Sequence, residues 1–166
     1  MATIDKEDLT EVVSRDRHCF GCSQQNPYGL QMRFFTDDTA LYSWLDVPAH
    51  LCGWNGIVHG GVLSTILDEI MCWAGIHQMR KVLMTRNMKV EYLKPVYIGE
   101  KLRAEARIIE KVSAREAIVE GLLYREEDDA LCSRSRGSFA IFSAAALERL
   151  QIVPPEALEC FGEFLD

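Results

Sequence analysis

The sequence predicts an α+β domain in which one long helix is wrapped by a curved antiparallel sheet of about six strands. Three features carry that prediction. One stretch, residues 60–78, keeps a helical period throughout. The runs on either side of it alternate apolar and polar residues with the period of a strand. The connections between those runs are mostly short and rich in turn formers, which favours antiparallel neighbours. At 166 residues, 48% of them hydrophobic, the chain has apolar material for the core of one domain.

Residues 1–17 are charged, and Leu9, Val12 and Val13 stand at helical spacing, so a helical lead-in is expected there, ahead of a single domain over 18–166. The segment from Cys19 to Leu30 is dense in turn formers and reads as a loop laid against the body. Strands are expected near 31–36 and 40–47, about an Asp37-Asp38 turn. The helix follows, from about Gly60 to Gln78, ending before Arg80-Lys81. Val62, Leu63, Ile66, Leu67, Ile70, Trp73 and Ala74 form its broad apolar face. Its opposite side carries Gly61, Ser64, Asp68, Cys72 and Gly75: small residues around one carboxylate, where a backbone or a ligand can approach closely. In the strand at 84–93, Met84, Met88, Val90 and Tyr92 alternate with Thr85, Asn87, Lys89 and Glu91, which places Thr85 on the polar side. Pro95 and Gly99 punctuate the connection to a second alternating run, Lys101 to Ile108. Further strands are expected near 115–125 and 131–142 with Glu126–Asp129 as their turn, and Pro154-Pro155 opens a short terminal helix. A sheet that covers one helix leaves its edges open, so self-association is expected.

A net charge of −7 argues against nucleic acid as a partner, since phosphate binding draws on surplus Lys and Arg. No run of roughly 18 apolar residues suggests a membrane span. The first residues lack the basic and apolar regions of a secretory signal, so a cytoplasmic location is expected. Six cysteines, at 19, 22, 52, 72, 132 and 160, are too sparse and irregular for a disulfide framework. Cys19 and Cys22 form the one recognisable pair. With His18 beside them and Cys52 or His50 in reach, a zinc site is conceivable, but the second ligand pair that a structural zinc needs is missing, and no metal is expected.

The segment Gly53-Trp54-Asn55-Gly56-Ile57-Val58-His59-Gly60-Gly61-Val62-Leu63-Ser64-Thr65-Ile66-Leu67-Asp68, followed by Met84-Thr85-Arg86-Asn87-Met88-Lys89-Val90-Glu91-Tyr92-Leu93-Lys94-Pro95 and Gly99-Glu100, resembles the signature of hotdog-fold thioesterases of the phenylacetate-pathway and related acyl-CoA type. In these an H-G-G turn opens the central helix and an acid follows nine residues after the His. The resemblance extends over roughly residues 19 to 142. It implies hydrolysis of an acyl-CoA or acyl-carrier thioester to a carboxylic acid and free thiol. No cofactor is implied beyond the CoA of the substrate. It also implies a homodimer, able to pair into a homotetramer, in which the helix N-terminus of one subunit meets the acid of the other.

The chemistry has a physical basis. Amides in the first turn of a helix lack partners and sit at the positive end of the aligned peptide dipoles, so they suit the oxyanion that forms when a thioester carbonyl is attacked. Glycine leaves the approach open. The resemblance assigns the main oxyanion donor to Gly60, with Gly61 as its neighbour, and makes Asp68 the catalytic carboxylate, either as nucleophile or as general base on water. Thr85 is implied to orient the attacking water, and Asn55 to help hold the carbonyl or nucleophile. His59 and Ser64 border the same site, His59 positioning the turn or acting in acid–base transfer. Glu69 is read as structural. Lys94, Arg134 and Arg136 are candidates for the CoA phosphates, and Trp54, Trp73 and Met71 for the acyl slot. The Cys19-Phe20-Gly21-Cys22 and Asn26-Pro27-Tyr28-Gly29-Leu30 stretch resembles a segment of a subset of these proteins, with Ser23 where they often have Gly. It is read as a lid or wall of the acyl pocket. Two rivals stand beside hydrolysis: a hotdog enoyl-CoA hydratase or dehydratase, and a non-catalytic acyl-thioester-binding regulator.

Overall fold

A computed structural model describes residues 4, 6–162 and 165. In chain order the strands are β1 (Thr10–Val12), β2 (Phe34–Thr36) and β3 (Leu41–Asp46), then, after helix α1 (Gly60–Met79), β4 (Val82–Tyr92), β5 (Lys101–Ser113), β6 (Glu116–Arg125) and β7 (Ala130–Phe142). All seven join one antiparallel sheet in the order β1-β2-β3-β5-β6-β7-β4. The sheet curves round α1, which touches β3 through β7. The apolar face expected of α1 is the core: Leu63, Ile66, Leu67, Ile70, Trp73 and Ala74 are buried. Among the described residues, no helix is long and apolar enough to cross a membrane.

The helix is buried more widely than its apolar stripe because β4 covers the small-residue side. Cys72 donates its S–H to the Leu83 carbonyl at 3.3 Å, and a Cβ on Gly75 would lie 2.0 Å from Leu83 Cδ2. Small residues thus serve close helix–strand packing in the second half of α1. In its first half the same stripe remains half open, and Asp68 stands there.

The sheet departs from simple alternation at one decisive place. The pairing of β4 with β7 slips between Thr85 and Asn87, a bulge that reverses which face each later residue takes. Thr85 and Tyr92, seven residues apart, both reach α1 as a result. Thr85 is therefore not on the face away from the helix, as strict alternation predicts.

Two elements differ from expectation. The described part of the expected lead-in helix at 1–17 is a single 3-10 turn, Lys6–Asp8, followed by β1; residues 1–3 and 5 lie outside the described residues. The backbone edge of β2 needs partners, and the run Thr10-Glu11-Val12, with Val12 buried, supplies them as a strand. After β7 an unforeseen helix, α2 (Ala144–Leu150), is capped by Ser143 Oγ, which accepts from the Ala146 amide at 3.2 Å. The terminal helix, α3 (Pro155–Glu159), is where the proline pair predicts it.

Candidate active site

The N-terminus of α1 is set by its glycine-rich approach. Trp54-Asn55-Gly56-Ile57 makes a turn closed by the Ile57 amide on the Trp54 carbonyl at 2.9 Å, and Gly56 takes φ +77°, a conformation that side chains resist. Val58 then donates to the Val96 carbonyl at 2.9 Å, tying this approach to the connection between β4 and β5. His59 is the N-cap. Its Nδ1 accepts from the Gly61 amide at 2.9 Å, and its carbonyl takes the amides of Val62 and Leu63. One first-turn amide is left: the Gly60 N–H has no acceptor among the described residues. The oxyanion role expected of Gly60 is thus open to it, whereas the Gly61 amide expected beside it is occupied by the cap.

Tyr92, which the sequence reading passed over, completes this end. Its hydroxyl donates to the Gly60 carbonyl at 2.9 Å and lies 2.6 Å from Ser64 Oγ, which itself reaches the Gly60 carbonyl at 3.1 Å. Two hydroxyls thus hold the peptide that follows Gly60, and Ser64 donates its hydroxyl hydrogen to that task. Ile57, Gly60, Leu63, Tyr92, Lys94 and Val96 are among the walls of a cleft of about 270 Å³ at this terminus. Tyr92 is visible in the sequence only as the last apolar residue of an alternating run, which gives no sign of its hydroxyl's partners.

Asp68 is half-buried, and its Oδ1 accepts the Thr85 hydroxyl at 2.5 Å. The two residues are thus in direct contact, and Thr85 keeps lone pairs free to accept from a water. Gly60 and Asp68, however, are eight residues apart on one helix, roughly 12 Å along its axis. A single carbonyl group cannot touch both groups of one chain.

The remaining candidates scatter. Asn55 sits exposed on the turn before α1. Lys94 lines the cleft at the helix terminus. Arg134 and Arg136 line a separate groove of about 270 Å³ with Lys89, Glu91 and Glu120. Arg134 is paired there with Glu91. Ser133 and Ser135, between and beside these arginines, are buried, so the arginines point away from the core and from Lys94's cleft. Trp54 is exposed, while Trp73 is buried, stacked on Phe34 at 5.5 Å.

Glu69 takes other partners than Asp68 does. Its Oε1 accepts Trp73 Nε1–H at 3.1 Å and the Cys19 thiol at 3.6 Å. Cys19, Cys22 and Glu69 have donor atoms within 4.8 Å of one another. Burial pushes the Glu69 carboxyl up to about 7, reinforced by the adjacent Cys19. The Cys22 hydrogen bond draws the Cys19 thiol down to about 6; that same bond, with burial, pushes Cys22 up. Among the described residues none of the other three candidate ligands joins them: His18 is not part of the cluster, Cys52 is exposed, and His50 Nε2 lies 3.2 Å from the Tyr28 carbonyl.

Comparison with known proteins accords with this geometry. A family model described as the thioesterase superfamily matches residues 55–132, the span that contains the turn, the Gly60 terminus, Asp68 and Thr85. An uncharacterized protein of Schizosaccharomyces pombe is 29% identical over 102 residues, which cover 59% of this chain and 58% of that protein; the match thus spans less than two thirds of the relative's length. A thioesterase from Haemophilus influenzae superposes with a TM-score of 0.63 at 22% identity, covering 73% of this chain and 85% of that one. A Streptococcus mutans protein solved with acetyl CoA bound superposes with a TM-score of 0.61 at 15% identity, covering 66% and 87%. The sheet wrapped round α1 is the hotdog fold of these structures, and residues 55–132 of the chain match the family model of the thioesterase superfamily.

Proposed function

We propose that this protein hydrolyses the thioester of an acyl-CoA, releasing a carboxylic acid and free CoA, in an active site shared between two copies of the chain. The observation that carries this reading is the Gly60 amide at the start of a 20-residue helix, which has no acceptor among the described residues, whereas the neighbouring Gly61 amide donates to His59 Nδ1. A preorganised donor of this kind is worth about 3–4 kcal/mol to an oxyanion. Asp68, steadied by the Thr85 hydroxyl, supplies the carboxylate. It attacks the carbonyl to form an anhydride that water then opens, or it takes a proton from a water that Thr85 helps orient. The Gly60 amide of one subunit serves the Asp68 of the other, which overcomes the roughly 12 Å that separate them within one helix. The outer edge of β4, 11 residues long and bordered by a strand on one side only, supports pairing with a second copy. The acetyl CoA held by the Streptococcus mutans neighbour and the basic Lys94 at the cleft support CoA as the carrier. No further cofactor is required, because positioning, one carboxylate and one oxyanion donor complete the reaction.

Purified protein assayed against a panel of acyl-CoAs, with released thiol read by a chromogenic reagent, should show turnover that Asp68→Ala lowers by at least about 100-fold. Full activity in Asp68→Ala would remove the mechanism. Binding of acyl-CoA without any turnover would instead identify a regulatory acyl-thioester sensor.

A further inference from the structure

The Cys19–Cys22 loop, to which the proposed hydrolysis assigns no chemical role, is laid directly over the Glu69 carboxylate of α1. A Cβ on Gly21 would lie 2.7 Å from the Glu69 carboxyl carbon, so this glycine permits the contact. The loop is one helical turn, closed by the Ser23 amide on the Cys19 carbonyl at 3.1 Å. In such a turn residues i and i+3 share a side, so both sulfurs face Glu69 and each other. The Gly21 amide donates to Cys19 Sγ at 3.3 Å, and Ser14 Oγ lies 3.4 Å from Cys22 Sγ. Cys19 is partly exposed, whereas Cys22 is buried at 2%.

From this arrangement we infer that Cys19 and Cys22 form a reversible dithiol–disulfide site whose substrate is a low-molecular-weight disulfide, with Glu69 accepting the proton of the buried thiol. The Cys19 thiolate, stabilised by the Gly21 amide, attacks one sulfur of the small disulfide. One S–S bond breaks as a Cys19 mixed disulfide forms, and the first small thiolate leaves. Cys22 passes its proton to the Glu69 carboxylate and attacks the Cys19 sulfur, forming the Cys19–Cys22 bond and expelling the second small thiolate. Two protein thiols lose two electrons and two protons; the small disulfide gains them as two thiols. The thiol of Cys19, drawn down to about 6, and the carboxyl of Glu69, raised to about 7, suit the attacking and proton-accepting parts. Three protein donors, one of them an oxygen already held by Trp73, fall short of the four-ligand set of a structural zinc.

The test treats the full-length protein with glutathione buffers of increasing oxidised fraction, quenches by alkylation and maps the products by mass. Wild type should lose the Cys19 and Cys22 thiols together and yield a peptide cross-linked between them, reversed by dithiothreitol. Cys22→Ser should instead accumulate a persistent glutathione adduct at Cys19, like the adduct on exposed Cys52. Glu69→Gln, with its fold checked by near-ultraviolet circular dichroism, should slow closure of the mixed disulfide by at least about tenfold. Absence of the Cys19–Cys22 cross-link at every ratio would overturn the site, as would one tightly held zinc per chain in the isolated protein that leaves both thiols unreactive. Closure in Glu69→Gln at the wild-type rate would overturn the role of Glu69.

Discussion

At the scale of single residues, the chemistry turns on which polar atoms are already engaged. His59 selects Gly60 as the free donor by occupying the Gly61 amide, which also suggests how to delete one hydrogen atom without disturbing the helix. Proline is favoured at the first helical position, and His59, at φ −63° and ψ 135°, already has the extended conformation that a following proline requires. Gly60→Pro should therefore fold normally and lose about 100- to 1,000-fold in kcat, measured with the thiol-release assay; undiminished turnover would exclude the Gly60 amide as donor. Glu69 makes a separate prediction about stability. Its carboxyl titrates near 4.5 when unfolded and near 7 when folded, so the folded state holds the proton more tightly. That stabilisation is complete below about pH 4.5 and is lost as pH rises through about 7. Compared with Glu69→Gln, the wild type should lose up to about 3 kcal/mol over this window, read from urea midpoints. The interval around pH 5 isolates Glu69 best, since the Cys19 thiol is already half-ionised near 6.

At the scale of elements, periodicity made α1 and the six longer or better-patterned strands legible from residue types alone. It could not show the slip between Thr85 and Asn87, because a bulge leaves composition unchanged while it reverses facing. Thr85 was therefore recognised by its place in a motif and assigned the wrong side by alternation. Three-residue β1 is too short to show a period, and its apolar residues fit a helix as well as a strand. The partnership of Glu69 with Cys19 joins positions 50 residues apart, and no local pattern encodes that contact. By contrast, the places of Gly60 in the first turn of α1, of Asp68 on its small-residue side and of His59 just before it were legible, since each is a position counted from the helix start. The N-terminal loop offers its own check. A Cβ on Gly29 would meet the Phe20 carbonyl oxygen at 2.4 Å, and that oxygen accepts the Leu30 amide at 2.7 Å. Gly29→Ala should cost about 1–3 kcal/mol in chemical denaturation, because the obstacle is backbone and cannot rotate away; a change below about 0.5 kcal/mol would show that the loop rearranges freely.

At the scale of the whole molecule, the distance along α1 makes the proposed catalysis a property of two chains. Asp68→Asn and Gly60→Pro each remove one half of a site, and in different subunits. Mixed after reversible dissociation, two inactive variants should regain activity, because a heterodimer holds one site built from an intact Gly60 and an intact Asp68. With random pairing, half the dimers would be mixed, so recovery should approach about one quarter of the wild-type sites. No recovery, with exchange verified by mass, would place both groups of each site in one chain. The two borders of the sheet differ in a way that bears on how such an assembly ends. One is the 11 residues of β4 and the other only the three residues of β1. A ribbon with two long adhesive margins would add copies indefinitely. Here the far margin is too blunt to recruit another strand, so joining through the long one would close on itself and halt, giving a finite particle where a symmetrical design would give a fibre.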